Sequence, residues 1–410
     1  MSTTGFPKSL EDAHAFDAAD PLAAHRKAFS MPEGVTYLVG HSLGAAPVKA
    51  LKQANTTAGT DWACDIVGSW NTADWINLPQ MTGAKIAPLL GVAPDEVIVC
   101  DSVSLNLFKL ASALLETGRH KRRLIVEREE FPTDQYMMAK LAGLIGAEHV
   151  HTDAGGGLAA LKDGGILVKS LVDFRTGHIA DLSAHEEAAR ASGGAIIWDL
   201  SHATGVLDLR LADWGASYAV GCTYKYLNGG PGAPGFIYVS RDKQSELSTP
   251  LPGWLGHANA FAFEDEYTPA DGLKRFISGT PPILSLATLN AALEAFEGVN
   301  QAHLQAKANK LGDMCLHVFE KLGLASTSPP AGNPRGGHVS VCHPEGYAIS
   351  RALADQGIKT DYRPPDTIRF GLSPLYLSYS EVWAALDTFK DILARETWRD
   401  PKYQVRSTVT

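Results

Sequence analysis

The sequence predicts an α/β fold, with a large domain built on a mainly parallel sheet and a smaller α+β domain. Short apolar runs alternate with longer amphipathic stretches between about residues 80 and 240, and these runs are apolar throughout. Strands that helices cover on both faces have this composition, as in a parallel sheet. After Pro281 and Pro282 the pattern changes to a long helical stretch followed by mixed strands and helices.

Six apolar runs are predicted to form the strands of the large sheet. They are Val97–Cys100, Leu124–Val126, Ile166–Val168, Ala195–Trp198, Tyr218–Gly221 and Gly235–Val239. Helical patterns, such as that of Leu182–Ala191, lie between several of them, and a further strand is plausible at Val35–Val39. In an open sheet of this kind, ligands bind at the carboxyl ends of the strands.

The C-terminal part is predicted to form the smaller domain. Its predicted elements are a helical stretch from Ile283 to about Leu322, strands at Gly337–Cys342 and Thr367–Leu372, and a helix near Tyr347–Gln356. The last helix is predicted to begin at Ser378, which can form a capping box with Glu381. We therefore predict a large domain over 46–285 and a small domain formed by 1–45 and 286–410.

The bulk properties exclude several classes of protein. A net charge of −9 without a Lys/Arg run argues against nucleic acid as a partner. The chain lacks an apolar stretch near the ~18–20 residues of a membrane span, and the first twenty residues do not read as a signal peptide. The five cysteines are scattered, with no CxxC pair and no Cys/His metal spacing. A reduced, cytoplasmic protein without a structural metal is expected.

Two side chains at predicted strand ends indicate a cofactor. Asp199 closes an apolar run, and Lys225 follows the next run, within GCTYKYLNGGPG at 221–232. A pyridoxal 5′-phosphate (PLP) enzyme needs a lysine that condenses with the cofactor aldehyde and an acid that keeps the pyridine nitrogen protonated. His202 lies one turn beyond the aspartate. Although a single lysine is usually a solvated surface residue, the pairing with an acid favours PLP chemistry.

Two other loops carry groups that suit a phosphate and a flat ring. The segment DSVSLN at 101–106 follows a strand and opens a helix, where N–H groups and hydroxyls bind phosphate. The alternative is a serine N-cap without a ligand. In FPTD at 131–134, Phe131 can stack on a ring and Asp134 can adjust its charge. The alternative there is a core phenylalanine in a proline loop.

A rival activity is suggested by GHSLG at 40–44, which matches GxSxG, the nucleophile elbow of serine hydrolases. Against it, Pro47 is expected to cut short the following helix, and the motif leaves the lysine–aspartate pair unexplained.

Arg369 lies on a predicted strand of the small domain. Its planar guanidinium matches the α-carboxylate of an amino acid, and the alternative is a surface ion pair.

These segments together resemble the kynureninase family, PLP enzymes of tryptophan catabolism with the aminotransferase-like fold. The matching segments occur in the same order along nearly the whole chain, and the sequence is similar to the bacterial form of the family. Its carriers are GHSLG at 40–44, SWN at 69–71, FPTD at 131–134, VDFRTG at 172–177, WDLSHATG at 198–205, GCTYKYLNGGPG at 221–232, PGWLGH at 252–257, SGTPPI at 278–283, HPEGYA at 343–348 and RFGLSPLY at 369–376. One departure is His41, because the family more often has asparagine there.

The resemblance implies a role for each matching position. Lys225 would carry the cofactor, Asp199 would pair with the ring nitrogen, and Tyr224 would shuttle a proton. The other implied contacts are Phe131 and Asp134 at the ring, Val103, Ser104, His202 and Tyr224 at the phosphate, Ser170 near the cofactor, Trp254 and Thr280 from a second subunit, Arg369 at the substrate carboxylate, and Ser42 and Trp70 at the aryl pocket. A homodimer with shared active sites is therefore implied.

The activity that the resemblance implies is hydrolytic cleavage of the Cβ–Cγ bond of L-kynurenine, or of 3-hydroxykynurenine, to anthranilate or 3-hydroxyanthranilate and L-alanine. This reaction belongs to the kynurenine pathway, which also serves NAD biosynthesis. Cysteine desulfurases and selenocysteine lyases share the fold and form the alternative. A desulfurase needs a mobile nucleophilic cysteine in the small domain, for which Cys342 is the late candidate. A non-enzymatic binding protein would leave the lysine–aspartate pair unexplained.

Overall fold

The computed structural model describes residues 5–406. The strands are β1 (Thr36–Tyr37), β2 (Val97–Val99), β3 (Arg123–Glu127), β4 (Glu148–Thr152), β5 (Ile166–Ser170), β6 (Ala195–Asp199), β7 (Tyr218–Gly221), β8 (Phe236–Val239), β9 (His338–Cys342), β10 (Ile358–Lys359), β11 (Asp361–Arg363) and β12 (Thr367–Gly371). The α-helices are α1 (Leu10–Ala18), α2 (Val48–Thr56), α3 (Ser69–Thr72), α4 (Leu78–Leu90), α5 (Val103–Glu116), α6 (Pro132–Ile145), α7 (Gly157–Leu161), α8 (Leu182–Ser192), α9 (Arg241–Gln244), α10 (Ile283–Ala292), α11 (Gln301–Lys321), α12 (Gly346–Asp355) and α13 (Tyr379–Ala394). Within the described range, no helix is both long and apolar enough to cross a membrane.

The largest sheet has seven strands in the order β2-β8-β7-β6-β5-β3-β4. Neighbours from β7 to β4 are parallel, whereas β8 runs antiparallel to both β7 and β2. All six predicted strands are present, with ends shifted by two residues at most. The sequence does not predict β4, because its residues Glu-His-Val-His-Thr contain no apolar run. This strand lies at the sheet edge, where its residues are at most half-buried.

Both faces of this sheet are covered, as the apolar composition of its strands predicts. Successive side chains of a strand point to opposite faces. In β5, Ile166 and Val168 pack in one core with apolar residues of α5 and α6. Leu167 packs in the other core with residues of α8. The carboxyl ends of the parallel strands remain as the exposed edge at which a ligand can enter.

A three-stranded antiparallel sheet in the order β11-β12-β9 lies in the C-terminal part. The N-terminal segment packs against this C-terminal part in two places. Strands β1 and β10 form a separate parallel sheet, and Asp17 of α1 accepts two N–H groups from the first turn of α13. Helix α13 begins after Ser378, and the predicted capping box between Ser378 and Glu381 is present. The two ends of the chain are thus packed together.

The predicted helical stretch from Ile283 to about Leu322 is present but is interrupted once. Helix α10 ends at Ala292, a short 3-10 turn follows, and α11 begins only at Gln301. Gly298, with φ of +73°, lies in the break and adopts a backbone conformation that other residues rarely take. The sequence therefore identifies the helical stretch but not its interruption.

Candidate active site

A cavity of about 140 Å³ lies at the carboxyl ends of the parallel strands. Ser170 ends β5 and Asp199 ends β6, and the two are direct neighbours in the sheet. The loop after β7 brings Lys225 to the same opening. The lining residues are Ser102, Val103, Ser104, Phe131, Thr133, Ser170, Phe174, Asp199, Ser201, His202, Cys222, Tyr224, Lys225, Ala233 and Gly235. Eight of the eleven residues predicted to contact the cofactor are among them.

Three side chains lie close to the ammonium group of Lys225, which is half-buried. Its Nζ is 3.5 Å from Nδ1 of His202. It also lies 5.7 Å from the ring centre of Phe131 and 5.8 Å from that of Tyr224. Burial, followed by the charge of Lys225, lowers the pKa of His202 well below its usual value. The imidazole beside the lysine is therefore neutral at neutral pH.

Two buried acids, Asp199 and Asp134, interact electrostatically at this site. Asp199 accepts a hydrogen bond from the N–H of Ser201 at 2.8 Å. Burial raises the pKa of Asp134 well above its usual value, and the charges of Asp199 and Glu130 raise it further. Neither carboxyl oxygen of Asp134 has a hydrogen-bond partner among residues 5–406. Because buried polar groups are nearly always paired, these acids suit a ligand that brings a hydrogen-bond donor or positive charge.

The start of α5 forms the opposite wall of the cavity. Ser102 is its N-cap, and the next two residues, Val103 and Ser104, line the cavity with their first-turn N–H groups unpaired within the helix. The hydroxyls of Ser104 and Thr133 are 2.9 Å apart. A 14-residue helix that presents N–H groups beside hydroxyls is an anion site.

Arg369 of β12 lies just behind the cavity wall and is only 2% exposed. Its Nη1 donates to the carbonyl oxygen of Phe174 at 2.5 Å, and its Nη2 donates to Oδ2 of Asp361 at 2.5 Å. Phe174 lines the cavity and packs edge to face against Phe131. The ion pair of Arg369 is therefore buried, and not the surface pair considered from the sequence. Its Nε has no partner in the described part of the chain.

Six predicted contact residues are not among the lining residues of this cavity. Two of them, Asp134 and Arg369, are buried next to it, and the other four are Ser42, Trp70, Trp254 and Thr280. Ser42 and Trp70 are half-buried, and Trp70 packs edge to face against Trp75 with ring centres 5.7 Å apart. Trp254 is 41% exposed, and Thr280 is also exposed. A single chain therefore leaves these four side chains outside the cavity.

The GHSLG motif does not form a nucleophile elbow. Ser42 donates its N–H to the carbonyl of Val39 at 2.9 Å and lies outside the seven-stranded sheet. The expectation that Pro47 shortens a helix is wrong, because α2 begins directly after it and Pro47 is the N-cap. A residue before the first turn of a helix needs no N–H donor, so proline fits there.

Residues 38–44, which we call the bridging segment, connect the two sides of the site. The N–H of Gly371 in β12 donates to the carbonyl of Leu38 at 2.7 Å. At the other end, the N–H of Gly44 donates to the carbonyl of Tyr224 at 2.8 Å. A Cβ at position 44 would lie 2.3 Å from the carbonyl oxygen of Lys225, so only glycine permits this approach.

Several residues of the site are missed by sequence reasoning. Thr133 and Phe174 line the cavity and lie inside the segments FPTD and VDFRTG, so their segments were the available signal. Ser201 and Cys222 also line it, next to residues that the sequence identifies. Asp361 carries no local signal, because its pairing with the arginine depends on strand register.

Comparisons with known proteins agree with this geometry. A family model described as Kynureninase C-terminal domain matches residues 304–389. The kynureninase of Pseudomonas fluorescens is 40% identical over 411 residues, which covers 97% of this chain and 99% of the relative. The kynureninase of Burkholderia mallei (strain SAVP1) is 39% identical over 415 residues, with 98% and 100% covered.

Solved structures share the fold. The apo cysteine desulfurase from Thermococcus onnurineus NA1 has a TM-score of 0.77 at 16% identity, covering 91% of this chain and 98% of that one. A mutant of C-DES with glycine covalently linked to its PLP cofactor has a TM-score of 0.76 at 20% identity, covering 88% and 97%. These likenesses confirm the predicted aminotransferase-like α/β fold. Because the relatives match almost from end to end, the chain belongs to the kynureninase family.

Proposed function

We propose that this chain is a PLP-dependent hydrolase that cleaves the Cβ–Cγ bond of L-kynurenine to anthranilate and L-alanine. The same proposal covers 3-hydroxykynurenine, which would give 3-hydroxyanthranilate, and places the reaction in tryptophan catabolism. The observation that carries it is one cavity that joins Lys225, Asp199 and the N-terminus of α5. Each of the three matches a different part of the cofactor.

The residues of the cavity fit PLP. The N-terminus of α5 with Ser104 and Thr133 suits the phosphate, because N–H groups and hydroxyls converge there. Phe131 faces the cavity and suits stacking on the ring. The buried Asp199 suits the pyridine nitrogen, because its carboxylate would favour the protonated, positively charged form. Asp134, whose carboxyl oxygens have no partner among residues 5–406, suits a position beside the ring.

When bound, PLP supplies an electron sink for negative charge that develops at the substrate Cα. In this proposal Lys225 attaches the cofactor, and its Nζ, once released, accepts the proton of Cα. Tyr224 lines the same cavity, and burial, followed by the charges of nearby groups, raises the pKa of its phenol. The phenol therefore keeps its proton and can donate it from Oη to the carbon left after bond cleavage.

The substrate is proposed to bind between the cavity and the small three-stranded sheet. Arg369 would receive the α-carboxylate, because its Nε is buried and lacks a partner in residues 5–406. Ser42 and Trp70 would border the aryl group. Fixing the α-carboxylate also orients the Cα–H bond, which is part of the barrier.

The active form is proposed to be a homodimer with shared sites. Trp254 packs against Phe261 and Phe263, which are 65% and 75% exposed. An exposed aromatic cluster of this kind marks an interaction surface, and a second copy would cover it while bringing Trp254 and Thr280 to the neighbouring cavity.

Subunit mixing tests this arrangement. Lys225→Ala and Trp254→Ala impair different chains of each shared site, so a hybrid dimer contains one site with neither substitution. Co-refolding the two variants should restore about a quarter of the wild-type activity if subunits mix at random. Activity that stays at the level of the separate variants would contradict shared sites.

The domain division and the location remain proposals. A large domain over 46–285 and a small domain over 1–45 with 286–410 are supported by the separate sheets and by the pairing of β1 with β10. Limited proteolysis should cut first near residues 45 and 285. All five cysteines are free thiols, which supports a reducing, cytoplasmic compartment.

The desulfurase alternative is disfavoured by the placement of Cys342. This residue ends β9 and is paired with Thr367 of β12, so it is not on a mobile loop. Burial raises the pKa of its thiol, followed by the charge of Asp366. A thiol held in a sheet lacks the thiolate character that the reaction needs.

Incubation of the PLP-loaded protein with L-kynurenine tests the main proposal. Anthranilate fluorescence and L-alanine should appear together in equal amounts. In parallel, L-cysteine should yield no sulfide beyond the level seen with free PLP. Formation of sulfide without anthranilate would replace the proposal with the desulfurase alternative.

A further inference from the structure

An imidazole occupies the space where residue 371 has no side chain. A Cβ built on Gly371 would lie 2.0 Å from Nδ1 of His41, so the ring of His41 fills the slot above this glycine. Arg369, two residues earlier in β12, projects to the same face. The bridging segment holds the ring there, because Val39 and Gly371 form a parallel bridge.

The slot is adjacent to the acid that pairs with the arginine. Asp361 and Arg369 are direct cross-strand partners in β11 and β12. Oδ2 of Asp361 lies 2.5 Å from Nη2 of Arg369, 3.2 Å from Nη2 of Arg363 and 3.5 Å from Nε2 of His41. Asp361 is 2% exposed. Its position therefore depends on two arginines and one histidine that share a single oxygen.

The ring of His41 is fixed on its other side by a second imidazole. His338, the cross-strand neighbour of Gly371, stacks on His41 with ring centres 5.2 Å apart and planes inclined by 17°. The groups that face His41 are thus Asp361 and Arg363 from β11, Arg369 from β12 and His338 from β9. Burial, followed by the charge of Arg369, lowers the pKa of His41 to about 4, so the ring is neutral at neutral pH. Its Nε2, 3.5 Å from Oδ2 of Asp361, can then carry the N–H that faces the carboxylate.

We infer that His41 is a positioning residue, which acts through Asp361 to hold the guanidinium of Arg369 in the orientation that receives the α-carboxylate of the substrate. The inference rests on the proposed role of Arg369 as the carboxylate site. Nothing else in the reaction is assigned to His41, because its ring is directed at Asp361 and not at the cavity.

The physical reason is the number of ways in which Asp361 can turn. Its Oδ1 has no hydrogen-bond partner in the part of the chain that the structure describes. Without the donor on His41, the carboxylate can rotate toward Arg363 and draw away from Arg369. A guanidinium that is no longer held in place loses its planar match to a carboxylate, which depends on geometry more than on charge.

Two substitutions separate the donor from the packing. His41→Phe keeps a ring in the slot but removes both nitrogens, whereas His41→Gln places an amide nitrogen close to the position of Nε2. Asp361→Asn removes the charge at nearly constant shape. His303→Phe, which changes an exposed histidine of α11, is the matched control. The measurement is calorimetric binding of L-alanine and of L-alaninamide to the PLP-loaded protein, since the two ligands differ only at the carboxyl group.

The wild-type protein should bind L-alanine more tightly than L-alaninamide. His41→Phe and Asp361→Asn should reduce that preference about fivefold or more, while His41→Gln and His303→Phe should keep it within about twofold. With L-kynurenine, His41→Phe should raise KM more than it lowers kcat. Equal effects of Phe and Gln at position 41 would mean that the ring only fills space. The inference would also be overturned if neither His41→Phe nor Asp361→Asn changed the preference for L-alanine.

The proposed function can fail independently of this inference. A wild-type protein that forms no anthranilate, yet loses its preference for L-alanine in His41→Phe, would refute kynurenine cleavage and keep the positioning role. A protein that forms anthranilate and binds the acid and the amide equally would do the reverse. Circular dichroism and PLP content confirm that each variant is folded and loaded.

Discussion

At the scale of single residues, a substitution of Lys225 gives the most direct test of the proposed chemistry. Lys225→Ala removes the group that we propose attaches the cofactor and accepts the Cα proton, so kcat should fall by about 10³-fold. PLP should still bind weakly through the α5 wall of the cavity. Borohydride reduction of the wild-type protein, followed by peptide mapping, should place the pyridoxyl group on Lys225. Label on another lysine would refute the assignment.

Asp199→Asn is the second residue-scale prediction. The substitution keeps the shape at the end of β6 but removes the charge proposed to pair with the ring nitrogen. Loss of one preorganised charge partner in a buried site costs about 10²-fold or more in kcat. Steady-state rates with L-kynurenine at saturating PLP measure it, and a near wild-type rate would contradict the electron-sink role.

The sequence identifies the site residues that occur in segments with their own chemistry. Asp199 ends β6, and Lys225 and Phe131 lie in the loops that follow β7 and β3, so their convergence follows from the parallel sheet. Asp361 is not predictable in this way, because its role depends on which residue of β12 lies opposite it. The proposed contact of Trp254 with a second subunit rests on the family resemblance alone, since a contact between chains leaves no pattern in the local sequence.

At the scale of elements, β12 carries the narrowest steric requirement. Gly371→Ala should destabilise the protein by about 1–3 kcal/mol, because the new Cβ overlaps the ring of His41. In a His41→Ala background the slot is empty, so the same substitution should cost much less. Urea denaturation of the two single variants and the double variant gives the coupling energy. Additive effects would show that the ring does not occupy the slot.

The helices and strands were predictable where their burial requires a recognisable sequence pattern. Strands β5 and β6 are covered on both faces and read as apolar runs, and the capping box marks the start of α13. Strand β4 is half-buried at an edge, so its composition is that of a loop. The break between α10 and α11 carries a local signal that the prediction does not use, because Gly298 suits a helix end and Asn300 is the N-cap of α11.

At the scale of the whole molecule, buried histidines predict sensitivity to mild acid. Burial lowers the pKa of His41 to about 4, and it also lowers the pKa values of His202 and His338 well below their usual value. Below pH of about 6.5 the unfolded chain binds protons at these residues whereas the folded chain does not. The unfolding free energy therefore decreases as the pH is lowered. For His41 alone the loss between pH 6.5 and 4 is roughly 3 kcal/mol.

Urea denaturation of the PLP-loaded protein at pH 7, 6 and 5 measures this dependence, and His41→Phe should make it shallower. Asp361 does not contribute in that window. Burial alone would raise its pKa, but the hydrogen bond from His41 and the charge of Arg369 lower it below its usual range. Its stabilisation is therefore lost only below pH of about 4. An equal slope in both proteins would contradict the assignment.

The bridging segment also determines when the site can form during synthesis. Residues 38–44 leave the ribosome long before β12, whose Gly371 donates its N–H to the carbonyl of Leu38. A contact between such distant parts of the chain forms slowly and late, because a large loop must close first. A nascent chain that ends before β12 lacks the arginine side of the site even if its large sheet has folded, so activity appears only after β12 has been made.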